Sequence, residues 1–213
     1  MLQIDTKYLP NTVNYETLYK RGFFWYKSPG TLYTDITRYD LHSLYASLSV
    51  ALKDHFKSDR SQELSIIENF LENRQFLKTK DPVNYQRLKT ITNSFYGDLW
   101  SQDRALITHY VRGFYQDFIK EYEGIIISID VDRIIIDQKK LEANKINFDK
   151  GLKGISFETL QLKYYYSEEL HNHVSEDIHG KIWSHGFDKD KIEKLQSQIK
   201  SERRRRTLTD LGL

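Results

Sequence analysis

Apolar residues recur along this chain with a period that changes from segment to segment, and those changes predict its elements. Residues 1–30 are aromatic and irregular, with Tyr-Lys-Arg-Gly-Phe-Phe-Trp at 19–25, and Ser28-Pro29-Gly30 is a turn signal. Leu32 to Tyr39 reads as a strand entering Asp40. From Ser43 the spacing turns helical, with Leu44, Leu48, Leu52 and Phe56 each four apart. Leu64, Ile67, Phe70 and Leu71 mark a second helix, which Lys78 to Pro82 breaks. Pro82 is placed to open a third, since proline is tolerated in a first turn. Tyr85, Leu88, Ile91, Thr92 and Phe95 form its apolar face, and Gly97 is expected to end it. Ile107, Val111, Phe114 and Phe118 line one side of a fourth helix.

The pattern then shifts to strands. Two isoleucine-rich runs, 124–129 and 133–137, flank the tight acidic turn Asp130-Val131-Asp132 and predict a hairpin. More strands are expected between Ile155 and Tyr166. Residues 188–206 read as a charged helix with a narrow stripe of Ile192, Leu195 and Ile199. No internal repeat or low-complexity linker interrupts this order. The class it predicts is α+β, with helices packed on one face of an antiparallel sheet.

Composition adds limits. Hydrophobic residues make up 39% of 213 residues, enough for a modest core in one domain, or one domain with a small appendage. The 15 tyrosines suit clefts, where a ring can be buried while its hydroxyl stays hydrogen-bonded. With no cysteine, disulfides and thiolate zinc sites are excluded. The N-terminus has no basic segment followed by an apolar run, so no signal peptide is expected. No stretch approaches the roughly 20 apolar residues of a membrane span, so no membrane partner is expected. The net charge of +2 does not mark a nucleic-acid binder, but Lys200 and Arg203 to Arg206 form a basic cluster. It is suited to phosphates, although a solvated tail accounts for it equally well.

Three segments carry candidate chemistry. Asp130 and Asp132 sit at i and i+2 on a turn between apolar strands. Like charges held there are costly without a cation, and oxygen ligands on a rigid hairpin suit Mg²⁺. Taken alone, an ordinary acidic turn explains them better. Asp40 ends a strand just before a helix whose N-terminal amides can receive phosphate oxygens. Ser43 there is equally well a plain N-cap. Lys89, Asn93 and Tyr96 are spaced four and three apart, so a cation, an amide and a ring project from one helical face. That set suits a nucleotide, but a single such stripe more often belongs to an ordinary amphipathic helix. His171, His173, His179 and His185 lie in a polar stretch without metal-ligand spacing, and a solvated loop is the expectation there.

In order and spacing these segments resemble motifs A, B and C of family B DNA polymerases. Motif A reads Asp-x-x-Ser-Leu-Tyr-Pro-Ser, matched by Asp40, Ser43, Leu44, Tyr45 and Ser47, with Ala46 in place of Pro. Motif B reads Lys-x-x-x-Asn-Ser-x-Tyr-Gly, matched completely by Lys89, Asn93, Ser94, Tyr96 and Gly97. Motif C centres on Asp-Thr-Asp-Ser, and the chain has Asp130-Val131-Asp132-Arg133. Tyr19 to Gly22 is similar to the Tyr-x-Gly-Gly segment of the protein-primed branch of phages and linear plasmids, and Lys163-Tyr164-Tyr165 is similar to its Lys-x-Tyr motif.

The resemblance implies a polymerase palm with short two-helix fingers and a reduced thumb-like C-terminus. Its parts would be 1–30 leading into the palm, 31–57 palm with motif A, 58–97 fingers, 98–166 palm with motif C and Lys-x-Tyr, and 167–213 thumb-like region and basic tail. It implies a nucleotidyltransferase that adds deoxynucleotides to a primer 3′-hydroxyl. Asp40 and Asp132 would hold two Mg²⁺ ions, with Mn²⁺ able to substitute and Asp130 in support. Leu41, Ser43, Leu44, Tyr45, Lys89, Asn93 and Tyr96 would bind the deoxynucleoside triphosphate, with Lys78, Lys80 or Arg74 as a second cation. Tyr19, Gly22, Gly97, Lys163 and Tyr165 would contact the DNA primer-template. The family's proofreading exonuclease and the branch's palm insertions have no counterpart here. Protein partners or a homo-oligomer are therefore expected to supply the missing thumb or exonuclease functions. The implied setting is the cytoplasm, that of the host for a viral or mobile-element protein. The altered residues around Asp132 leave a second reading open, a weak or inactive palm that binds nucleic acid inside a larger replication or defence complex. A primase-like or terminal-transferase activity on the same palm is a third.

Overall fold

A computed structural model describes residues 2, 4–10, 23–99, 101–145, 147–152, 155–169 and 172–210. Their elements run β1 (Phe24–Tyr26), β2 (Leu32–Leu41), α1 (Leu44–Ala51), α2 (Ser61–Lys80), α3 (Pro82–Asp98) and α4 (Ser101–Glu121). Next come β3 (Ile126–Asp130), β4 (Arg133–Asp137), α5 (Gln138–Ala143), α6 (Phe148–Gly151), β5 (Phe157–Glu169), β6 (Asn172–Asp177), β7 (Ile182–His185) and α7 (Lys189–Asp210). This is a mixed α+β fold. The chain divides into two compact units. The first comprises Met1–Lys27 and Thr37–Leu160, and the second comprises Ser28–Ile36 and Gln161–Leu213.

In the first unit the strands pair in the order β1-β3-β4-β2. β3 and β4 form the hairpin that the isoleucine runs predict, with Asp130 opposite Arg133 across a two-residue turn. Ile126, Ile127, Ile129 and Ile134 to Ile136 are all buried. A continuous apolar run rather than an alternating one is what a strand covered on both faces requires. α4 turns Ile107, Val111, Phe114 and Phe118 into the same core, as their spacing predicts. At Gly113 any β-carbon would lie 2.8 Å from the Tyr8 ring, so glycine lets the N-terminal segment seat against α4.

Three local expectations are corrected here. The helical row from Leu44 to Phe56 does not form one helix. α1 stops at Ala51 and a 3₁₀ turn follows at Lys53–His55. The reason lies on another element: the Asp103 carboxylate accepts from Lys57 N at 2.7 Å and Ser58 N at 3.3 Å, and also from the Ser58 hydroxyl, which draws the chain away from the helix axis. Gly97 does not end α3, which runs on to Asp98 and stops where Leu99 turns extended.

The third correction concerns the histidine stretch, which lies in the second unit. Residues 172–185 form the hairpin β6–β7 rather than a loop. Asp177 organises its turn by accepting from His179 N at 2.9 Å and Lys181 N at 2.8 Å. β7 is mostly exposed, and its adjacent Ile182 and Trp183 give its sequence no apolar–polar alternation. The strands of this unit pair in the order β2-β5-β6-β7. Its small core joins Tyr164 and Val174 to the predicted stripe Ile192, Leu195 and Ile199 on α7.

Candidate active site

The first unit contains a cleft of about 430 Å³, within the size range of small-ligand sites. Four separate stretches of sequence line it. Ser43, Leu44, Tyr45 and Ala46 come from the start of α1, Thr92, Asn93 and Tyr96 from α3, and Val131 and Asp132 from the β3–β4 turn. Ser101, Arg104, Ala105 and Thr108 complete it from α4. The motifs of the sequence therefore meet around one cavity. The α4 wall carries no motif, and only its position one turn beyond the α3–α4 bend could have marked it.

Each wall is held by specific contacts. The Tyr45 and Tyr96 rings lie 4.7 Å apart between centroids. Tyr96 Oη and Thr108 Oγ1 are 2.6 Å apart, and Thr108 Oγ1 also donates to the Arg104 carbonyl at 2.9 Å. A hydroxyl has one proton, so Tyr96 is the donor in the first bond. Burial pushes the Tyr45 and Tyr96 hydroxyls up, and both stay protonated across the physiological range. At the hairpin, Val131 has φ 58°, a rare conformation for a β-branched residue. It is held there from two sides. Its N–H donates to Phe23 O at 2.9 Å, and its carbonyl accepts from the fully buried Tyr115 hydroxyl at 2.8 Å.

Ser43 is not capped by its own side chain. Its backbone is left-handed, and its hydroxyl instead meets Arg74 Nη1 at 3.3 Å. Of the three cations that the sequence left open for the second position, Arg74 thus touches the residue before α1. The imidazole of the neighbouring His42 is held below its ordinary range, first by burial and then by the charges of Arg74 and Lys78. Both α2 cations thus act at the entrance of α1. The Leu41 and His42 amides are not available to phosphates, a further correction. They donate to Asp132 O at 2.7 Å and Ser156 O at 2.8 Å. The first-turn amides of α1 have no intrahelical acceptor.

The carboxylates lie close together under guanidinium groups. Asp40 Oδ2 accepts from Arg38 Nε at 2.8 Å and Nη2 at 2.7 Å. Asp40 Oδ1 lies 3.4 Å from Arg133 Nε, and Asp130 Oδ2 lies 3.9 Å from Arg133 Nη1. Asp132 reaches solvent at the cleft, yet the protein crowded around it pushes its carboxyl up, and the charges of Asp40 and Asp130 add to this. Like-charged oxygens that disfavour one another are the donor set a divalent cation neutralises. In chemistry, then, Asp132 and Asp40 fit a metal, although among the described residues no group of three or more His, Asp or Glu side chains is gathered around one metal position.

The remaining candidates are placed as follows. Lys89 is half-buried on α3 and does not line the cleft. A β-carbon at Gly97 would meet nothing, and the Gly97 carbonyl accepts from Arg104 Nη1 at 3.2 Å. Lys163 and Tyr165 belong to the second unit. Lys163 Nζ pairs with Glu176 at 2.8 Å, and the buried Tyr165 ring stacks on His173 with centroids 6.0 Å apart. Tyr19 and Gly22 lie outside the described residues, as do the side chains of Arg203 to Arg206 on α7.

The fold is similar to that of a family B DNA polymerase. One matching solved structure is the family B DNA polymerase from the hyperthermophilic archaeon Pyrobaculum calidifontis, with a TM-score of 0.56 and 16% sequence identity over 79% of this chain. The chain spans about 30% of that protein's length. At this identity the likeness is one of fold, and it does not extend to the protein-primed branch. No protein-family model and no curated protein matches the sequence. Among the described residues no helix is long and apolar enough to cross a membrane.

Proposed function

We propose that this chain is the catalytic core or a subunit of a template-directed DNA polymerase. The observation that carries the reading is the cleft where Ser43 to Ala46, Thr92, Asn93, Tyr96, Val131 and Asp132 meet, since these residues come from the three motif-like segments. In the reaction a primer 3′-hydroxyl adds to the α-phosphorus of a deoxynucleoside triphosphate, and pyrophosphate leaves. Asp40 and Asp132 would hold divalent ions, with Asp130 beside them. When bound, Mg²⁺ supplies charge neutralisation and a more acidic 3′-hydroxyl. The chain's own part is mainly positioning. Arg74, Lys78 and the first amides of α1 hold the triphosphate, with Lys89 as a further cation on the fingers. Tyr45 lies under the sugar, and Asn93 and Tyr96 face the base pair. Residues 58–97 would act as fingers and residues 167–213 as a reduced thumb, with Lys163 and Tyr165 toward the primer. Partner proteins or further copies would supply grip on the DNA.

Primer extension with Mg²⁺ tests the reading. Wild type should incorporate nucleotides and Asp132→Asn should not, whereas equal incorporation by both would overturn the site. A second reading, a palm that binds nucleic acid without catalysis, draws support from the two arginines held against Asp40. Mg²⁺-independent DNA binding with no incorporation, even with partners added, would favour it.

A further inference from the structure

Arg133 stands where the resembling motif has a serine, and its guanidinium reaches two carboxylates from different strands. Its Nε is 3.4 Å from Asp40 Oδ1 and its Nη1 is 3.9 Å from Asp130 Oδ2. Arg38 already occupies the other Asp40 oxygen through Nε and Nη2. Of three neighbouring carboxylates, Asp40 on β2 and Asp130 on β3 are thus offset by guanidinium groups from β2 and β4. A guanidinium is always charged and presents its donors in a fixed fork, so it bridges carboxylates as a cation does. It also fills the space between them, and its charge repels an arriving metal.

We infer that Arg133 is a built-in substitute for a divalent cation. It holds Asp40 and Asp130 together in the metal-free protein, and it must withdraw before Asp40 and Asp132 can take a metal. Arg133 is then a positioning residue that sets a high threshold for divalent ions. The inference rests on the reading of Asp40 and Asp132 as metal ligands. It predicts that removing a charged side chain improves binding, whereas loss of a merely structural ion pair would weaken it. At these distances the removed repulsion is worth about a tenfold change or more in affinity.

The test measures Mn²⁺ alone, without nucleotide or DNA, by titration followed through the paramagnetic resonance of the free ion. Arg133→Ser should bind Mn²⁺ at least about tenfold more tightly than wild type, and Asp132→Asn in that background should abolish the gain. Arg133→Gln, closer in volume, gives the same comparison if the serine variant does not fold, with folding checked by circular dichroism. Mn²⁺ binding no tighter in a folded variant than in wild type would overturn the inference. Primer extension on the same proteins separates the two claims. An active wild type with unchanged Mn²⁺ affinity in the variants removes this inference and leaves the polymerase reading. An inactive wild type with the expected gain in affinity does the reverse.

Discussion

The rings of Tyr45 and Tyr96 meet at 4.7 Å between centroids and 56° between planes, although one belongs to the helix after Asp40 and the other to the helix that carries Asn93. This pair joins two of the three sequence segments in one wall of the cleft. Aromatic pairs contribute about 0.5–1.5 kcal/mol beyond the area they bury, so the contact also helps hold α1 and α3 together.

Tyr96→Phe keeps that ring and removes only the hydrogen bond to Thr108. Thr108 keeps its bond to the Arg104 carbonyl, so no buried donor is orphaned. The expected cost is about 0.5–1.5 kcal/mol in urea unfolding. Tyr96→Ala removes the ring as well and should lose more in stability and in nucleotide affinity, measured by fluorescence titration.

Asp132→Asn should abolish primer extension and, without metal, raise stability. The Asp132 carboxyl is pushed above its ordinary range in the folded protein, so its contribution is fully present below the unfolded pKa and is lost as pH rises through the folded value. At neutral pH the asparagine variant is therefore the more stable, and the difference closes on acidification below the unfolded carboxyl range. Because Asp132 is solvent-exposed, the gap should stay under about 1 kcal/mol. Thermal unfolding with chelator at a series of pH values measures it.

His42 has its pKa lowered, first by burial and then by Arg74. A depressed histidine contributes stability above its unfolded pKa and loses it as pH falls through the folded value. The protein should therefore weaken on acidification below about pH 6.5. Arg74→Gln removes one cause, so the His42 pKa should rise, read from its ring proton shifts by NMR. The same variant should raise the KM for a deoxynucleoside triphosphate about tenfold or more, as expected for loss of a charge-assisted phosphate contact.

Asp103 lies outside every motif and is 1% exposed. It anchors the backbone at Lys57 and Ser58 where α1 gives way to the approach to α2. Asp103→Ala would leave those donors without their acceptor, at about 3 kcal/mol or more. Such a loss, seen in chemical denaturation, would come with reduced nucleotide binding, because the same approach positions Arg74. Unchanged stability would show that the anchor is dispensable.

Much of this protein is legible in its sequence because the signals are local. Isoleucine runs around Asp130-Val131-Asp132 define a hairpin, and the Ile107-to-Phe118 spacing defines α4, since period and turn chemistry act between near neighbours. The motif-like segments at Asp40, Lys89 and Asp130 likewise mark the residues that come to share the cleft. What the tertiary structure decides depends on distant partners. Asp103 ends α1 early, Arg74 rather than a helix amide takes the Ser43 hydroxyl, and β6–β7 forms from a stretch whose exposed edge needs no alternation. Above all, only the fold sets Arg133 against Asp40, because an ion pair between β2 and β4 depends on strand register, which no spacing along one segment encodes.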